Sequence, residues 1–516
     1  MAHQSGDRYR TSDHVSDRRV LVDLARRVTE HRHLIVATNR GPLNFIEEQS
    51  GEISARRDTS RTTEMFEFLS DTPIKWISGV AGAVDRKAVE QMLGTDGYIR
   101  SEAIPPAWAQ RFVSSPRRVH HKFYNVICNP LLWFMLHRSW SPTFTPNIGE
   151  QEHDAWERGY RAVNEAFAAE VSIAAGEDEI VLVCRDYQLM LVPGIVRLSH
   201  PDAIIHFSLD TPWPWPSEFE LLPASWRTEL LESLLSSDVI SLPSSIDIAA
   251  FVACSKMFLG ERVEVADASD GVSLSFNGRT IHLRISPFSV RSKKFSSTLE
   301  FAPTQRMIGD LKNDQYSHTF VTVDRSEPHK NIIRSITAFG ELLKQNPDLV
   351  GKVRFLLFLT PGPAHISAYK RLSDEIRRIA RSVNDRTNDA KSVQVHLENN
   401  FYRAIAGLSQ YDTLVSVPVV DGISRVVLDG PLVNDKDGGM IISETMSATK
   451  LLSDHASVVS FTDVQAITRA MAEAVSESAS ERAKKSANIR QIVLTFGSEE
   501  PMLRTIEAIA EVDDRG

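Results

Sequence analysis

Arg325 and Lys330 stand in Val323-Asp-Arg325-Ser-Glu-Pro-His-Lys330-Asn331, directly behind the β-branched run Thr319–Val323. Pro328 stops the strand, and Lys330 is expected to open the next helix. A helix start carries about half a positive charge. With two cations beside it, the segment makes an anion site suited to a diphosphate, or else a solvated charge cluster. Asp186 emerges straight from the apolar run Ile180–Cys184, a position poor for stability and well suited to face a cleft. Asp210 ends the following run and enters Thr-Pro212-Trp213-Pro214-Trp215-Pro216. The prolines and tryptophans read as a rigid pocket wall or as aromatic–proline packing at a domain edge. Asp210 itself either faces a reacting centre or caps the turn at Pro212. Arg40, in Thr38-Asn39-Arg40-Gly41-Pro42, can fork two donors onto a phosphate or sugar hydroxyls, or face solvent in a turn. Asp421-Gly422-Ile423-Ser424 follows another strand and leads to Asp429, a carboxylate able to accept from ribose hydroxyls.

The elements that position these residues alternate. Leu34–Thr38, Ile180–Cys184, Ile204–Leu209 and Val239–Leu242 read as buried strands, separated by amphipathic helical stretches. A second series comprises Thr319–Val323, Val353–Thr360, Val393–Leu397, Thr413–Val419 and Met440–Ser443. Continuous apolar strands alternating with helices predict an α/β chain of two doubly wound parallel sheets. The Ser/Pro-rich, weakly periodic Ser286–Gln305 is expected to be a short linker between them. The expected organisation is an extension over residues 1–30, a first domain over 31–290, a second over 291–470, and C-terminal helices over 471–516 packing back on the first. Ligands of such sheets lie at the carboxyl ends of the strands. The site should therefore draw on both halves. No G-x-G-x-x-G follows the first strand and no Walker sequence occurs, which argues against a nicotinamide enzyme or a P-loop ATPase.

Composition bounds the partners. The 516 residues hold 58 Lys and Arg against 67 Asp and Glu, a net charge of −9, so there is no basic footprint for nucleic acid. Cys128, Cys184 and Cys254 are scattered, without metal-ligand spacing, and read as reduced thiols of a cytoplasmic protein. No apolar run approaches the roughly 18 residues of a membrane span. The longest candidate, Val126–Leu136, contains Asn129 and Pro130 and reads as a buried helix. The charged N-terminus up to about Arg27 has no signal-peptide core.

Taken in order, several segments resemble the trehalose-6-phosphate synthase-like glycosyltransferases over roughly residues 33–470. They are Asn39-Arg40, Phe123-Tyr124-Asn125 with Trp133, Asp186-Tyr187-Gln188-Leu189, Pro212-Trp213-Pro214, Arg325 with Lys330, Asp421-Gly422 and Ser443-Glu444. The resemblance implies a GT-B fold and transfer with retention, without a metal or cofactor, from a nucleotide-diphosphate sugar of UDP or GDP type. It implies that Arg325 and Lys330 bind the donor diphosphate and that Asp421, Gly422 and Ser424 hold the donor ring. Asp429 stands where the family has a ribose-binding Glu. Arg40, Tyr124 and Trp133 would line the acceptor side, and Asp186 would face the acceptor. Asp186, Asp210, Arg325 and Lys330 are thus the catalytic candidates. The partners implied are a nucleotide-sugar and a small polar acceptor; a homo-oligomer stays open.

The chain also departs from the family. A glycine pair after the first strand is missing, and the region reads Ser54-Ala-Arg-Arg-Asp-Thr-Ser-Arg-Thr62. Two family histidines are Arg185 and Asp210 here, and an acceptor-phosphate Arg is Pro363. The Asp-Gly-Met-Asn-Leu stretch has become Asp421-Gly-Ile-Ser424-Arg425. Asp429-Gly-Pro-Leu-Val-Asn434-Asp, Ser443-Glu-Thr445 and Glu327-Pro-His-Lys330-Asn331 look like the validoxylamine-phosphate synthase branch, which joins an activated cyclitol to an amino-cyclitol phosphate. Three readings follow: a glycosyltransferase of specialised metabolism, a C–N-forming pseudo-glycosyltransferase, and a non-catalytic nucleotide-sugar-binding regulator.

Overall fold

The computed structural model describes residues 14–514 apart from 59, 81, 142, 144, 146, 269–270, 287–289, 291, 313–314, 364–365, 423 and 497–499. In chain order the first half carries β1 (His33–Thr38), β2 (Leu43–Glu47), β3 (Ile53–Arg57), β4 (Ile74–Gly79), β5 (Trp108–Val113) and β6 (Ile180–Arg185). It continues with β7 (Ile204–Ser208), β8 (Val239–Leu242), β9 (Val263–Ala268), β10 (Gly271–Phe276) and β11 (Arg279–Ile285). The second half carries β12 (His318–Arg325), β13 (Val353–Thr360), β14 (Val393–Leu397), β15 (Thr413–Ser416), β16 (Gly439–Ser443) and β17 (Ser457–Val459).

The first sheet runs β5-β4-β1-β6-β7-β8-β11-β10-β9, parallel from β5 to β11, with β10 and β9 added antiparallel. The second runs β14-β13-β12-β15-β16-β17 and is parallel throughout. Each is doubly wound and reverses its winding once, between β1 and β6 in one and between β12 and β15 in the other. Those reversals leave crevices at the carboxyl edges where ligands bind.

Burial explains why these segments are strands. Every residue of β6 is buried, as is β13 up to Leu359. Alternation sorts the side chains between two faces. Ile35, Leu182, Cys184 and Phe207 pack beneath helices carrying Trp156, Phe167 and Phe251. Leu34, Val36, Val181 and Val183 pack on the opposite face, against Leu21 and Ala25 of helix His14–Thr29 and Ile506 and Ile509 of helix Glu500–Asp513. Each such side chain contributes roughly 1.5–3 kcal/mol of transfer free energy.

The structure departs from the sequence expectations at several points. Ser286–Gln305 is not a structureless linker, because helices Ser292–Glu300 and Ala302–Leu311 occupy much of it, burying Phe295 and Thr304. Val126–Leu136 is not one regular helix. A wide, irregular helix, His121–Leu132, is interrupted at Asn129, which has φ −139°, before helix Trp133–Leu136. The Asn129–Pro130 peptide is cis. Strands β4 and β5 were invisible in the apolar pattern, since Lys75, Gln110 and Arg111 interrupt it. Their donors are taken up inside: Lys75 Nζ donates to the Ala174 carbonyl at 2.7 Å and Gln110 Nε2 to Ser78 Oγ at 2.6 Å.

Candidate active site

The second sheet supplies a charged cluster at its reversal. Arg325 ends β12; its Nη2 lies 3.2 Å from Glu327 Oε1 and its guanidinium carbon 4.9 Å from the centre of the Trp133 ring. Its side chain remains 53% exposed. Lys330 is the opposite case: Nζ is buried between Asp324 Oδ1 at 3.0 Å and Asp421 Oδ2 at 2.8 Å. Burial by itself would lower the Lys330 pKa, but the two carboxylates outweigh it and raise it. Lys330 is thus a fixed cation. It does not open the following helix, as expected from sequence, because Asn331 intervenes with φ 58°. Asn tolerates that left-handed geometry. Its Nδ2 donates to the carbonyls of Val417 and Phe461 at 2.9 and 2.8 Å, strapping the turn to the segments that leave β15 and β17.

Asp421 and Gly422 follow β15 across the same reversal. A Cβ on Gly422 would come 2.3 Å from the Asp210 carbonyl oxygen, so glycine allows the two halves to touch here. Ser424 is buried. Asp429 lies on helix Val426–Val433, 3.4 Å from Arg425 Nε one turn earlier.

The first sheet supplies the facing wall. Asp186 follows β6 with φ 80°; its backbone N–H donates to the Ser208 carbonyl at 2.9 Å, and its Oδ1 accepts from the Tyr187 N–H at 3.1 Å. Burial first, then the charge of Asp210, raises its pKa to about 6. Asp210, after β7, is gripped by Arg185 Nη2 at 3.0 and 3.2 Å. The Arg185 side chain is 5% exposed and that of Asp210 30%. Arg40, after β1, lines a small cavity of about 80 Å³ with Asn39, His120 and Tyr124. Tyr124 stacks on His120 at 5.8 Å between ring centres. Burial raises the Tyr124 pKa, against the lowering charge of Arg40. Trp133 donates from Nε1 to Glu327 Oε2 at 3.1 Å, bridging the halves.

Tyr124 feels the charges of Arg40, Asp186 and Arg325, and Asp186 those of Asp210 and Arg325, so the acceptor-side and donor-side groups share one electrostatic neighbourhood. Sequence reading assigned no role to Glu327, Asp324, His137 or His329. Glu327 is buried, and burial raises its pKa against the opposing charges of Arg325 and Lys330. His137 and His329 stack at 4.0 Å across the halves; burial holds His137 down to about 3 and holds His329 well below an ordinary histidine. A signal was available for Glu327 and His329, since both belong to the segment already singled out by Arg325 and Lys330.

Two doubly wound halves meeting edge to edge, each bringing its reversal to one cleft, make this a GT-B protein. The chain belongs to glycosyltransferase family 20, whose pattern matches residues 32–509. The bifunctional trehalose-6-phosphate synthase/phosphatase of Thermoproteus tenax is 28% identical over 375 residues, covering 70% of this chain and 48% of that protein. The chain thus spans about half the length of that relative. Validamine 7-phosphate valienyltransferase of Streptomyces hygroscopicus subsp. jinggangensis is 24% identical over 420 residues, covering 81% of this chain and 82% of its own. The crystal structure of a UDP-forming trehalose-phosphate synthase from Burkholderia xenovorans superposes with a TM-score of 0.78 at 19% identity, covering 93% of this chain and 99% of that one. No helix among the described residues is long and apolar enough to cross a membrane.

Proposed function

We propose that this chain transfers a sugar from a nucleotide-diphosphate sugar, of UDP or GDP type, to a small polar acceptor, with retention and without a metal, in specialised metabolism. The observation that carries the reading is the meeting of the two reversals. Arg40 and Asp186 come from one, Arg325, Lys330 and Asp421 from the other, and Gly422 touches Asp210 between them.

In this reading the leaving diphosphate departs from the face that the acceptor attacks. Positive charge grows on the ring and negative charge on the diphosphate. Lys330, already fixed by Asp324 and Asp421, meets that charge without reorganisation, and the exposed Arg325 turns from Glu327 to join it. Removing one such donor costs roughly 10²–10³ in rate. The departing phosphate takes the acceptor's proton. Asp186 orients the acceptor, Arg40, Tyr124 and Trp133 line its side of the cleft, and Asp421, Gly422, Ser424 and Asp429 hold the donor. Calorimetry tests the site: Arg325→Ala with Lys330→Ala should abolish binding of UDP and GDP. Unchanged affinity in the double variant would refute it.

A second reading is favoured by Asp210. With Asp186 beside it, the acceptor end holds two carboxylates, of which Arg185 neutralises one. Such an end attracts an amine, and C–N bond formation between cyclitols would suit it. The similarity to the Streptomyces valienyltransferase, which covers most of both chains, supports the same direction. Paired amine and alcohol acceptors, with products read by mass spectrometry, separate the two: only an N-linked product supports the second.

A further inference from the structure

Behind Asp210, between the first sheet and helix Glu500–Asp513, lies a cavity of about 200 Å³. Its floor is formed by Arg185, Ser208, Ser241 and Arg284 at or near the carboxyl ends of β6, β7, β8 and β11, and its roof carries Arg504 and Glu507. Arg40, Asp186, Arg325 and Lys330 do not line it.

The lining is chemically mixed in a specific way. Guanidinium groups only donate, carboxylates only accept, and hydroxyls do both. Ser208 is 2% exposed, and its Oγ has no hydrogen-bond partner among the described residues. A buried polar group left so is destabilising, and a ligand hydroxyl that meets it relieves that cost. Ser241 Oγ lies 2.9 Å from Nε2 of the buried His206, whose pKa is lowered to about 3, by burial first and then by the Arg185 charge, so the imidazole is neutral. The charges around the cavity are already matched: Arg185 with Asp210, Arg284 with Glu511, and Arg504 with Glu500 and Glu507. An anion finds no unopposed cation there. A neutral ring bearing several hydroxyls finds donors and acceptors in floor and roof, and apolar Met65, Ile285, Pro501 and Ala508 for its carbon faces. An apolar cavity of about 150 Å³ holds a six-membered ring, so this one has room for a ring and its hydroxyls.

We propose that the cavity binds a neutral, unphosphorylated polyol ring, a monosaccharide or cyclitol, at a second site coupled to the cleft through Arg185. A hydroxyl that accepts from Arg185 draws on the guanidinium that holds Asp210, and the Asp210 charge bears on Asp186. Arg185 is a positioning residue in this scheme.

Calorimetry or saturation-transfer NMR on the full chain tests it, with D-glucose and myo-inositol as probes and glucose 6-phosphate as the charged control. At least one neutral probe should bind, equally well in the chain carrying Arg325→Ala and Lys330→Ala. Binding should fall at least tenfold in Ala508→Phe, which fills the cavity from its roof; should that variant fail to melt cooperatively, Thr505→Leu fills the same space. Saturating probe should also shift the acidic limb of the pH–rate profile. The proposal is overturned if neither probe binds, if the filled variant retains the affinity, or if glucose 6-phosphate binds there as tightly as glucose. Failure of the wild-type chain to bind UDP or GDP would instead overturn the transferase reading and leave this site standing.

Discussion

Arg185 and Asp210 differ together from the histidines of the trehalose-6-phosphate synthase-like pattern, and in the fold they are one ion pair, at 3.0 and 3.2 Å. The exchange has two measurable consequences. The first concerns pH. Burial and the neighbouring Asp210 hold the Asp186 pKa at about 6, so the folded chain binds that proton more tightly than the unfolded one. Its contribution to stability is present below the ordinary carboxyl pKa near 4 and disappears as pH rises through about 6. On the proposed transferase reading activity runs the opposite way, because orienting an acceptor hydroxyl needs the ionised form. The kcat/KM profile should rise through about pH 6, and Asp210→Asn should move that limb to lower pH; an unmoved limb would detach Asp210 from Asp186. The second concerns stability. Asp210→Ala leaves a buried guanidinium unpaired and should cost about 3 kcal/mol. Arg185→Ala leaves a carboxylate that water can reach and should cost less. Urea midpoints of the two variants give the order directly.

At the scale of elements, the sheets position the site and the turns after β1, β6, β12 and β15 tune it. Gly422 is the tightest case. Ala there would press its methyl into the Asp210 carbonyl, and the halves can relieve the clash only by separating. A misplacement of about 1 Å costs about 10²-fold in rate, so Gly422→Ala should lose activity on that scale while its melting temperature stays near that of the wild type. Equal losses in both would show a folding defect instead. The same elements show what the sequence made legible. β6, β12 and β13 announce themselves because parallel strands covered on both faces are continuously apolar, and the residues leaving them are therefore placed correctly at the carboxyl edges. β4 and β5 do not, because Lys75 and Gln110 interrupt their apolar runs and direct their donors into the fold. Pairings between distant segments are equally silent. Arg185 meets Asp210 25 positions away, and Trp133 meets Glu327 194 positions away. No local pattern encodes a partner at that separation; only the order of the strands brings them together.

At the scale of the whole molecule, the end of the chain joins both halves. Helix Ala479–Leu494 packs Ile489 and Val493 against Leu428 and Val433 of the second half. Helix Glu500–Asp513 then covers one face of the first sheet with Met502, Leu503, Ile506 and Ile509, and Arg284 pairs with Glu511 and Arg32 with Asp513 at its end. The apolar contacts dominate. Ile506→Ala should cost about 2–5 kcal/mol, whereas Arg284→Ala removes a partly exposed pair worth about 0–1 kcal/mol. Removing the helix altogether would uncover Val181, Val183 and Ile204 on the first sheet but leave the second half's core intact. A chain shortened before Glu500 should therefore unfold in two transitions, the first shifted to lower urea and assigned by the fluorescence of Trp76 and Trp108, which lie in that core. A single transition at the wild-type midpoint would mean that the first sheet keeps its core without the helix.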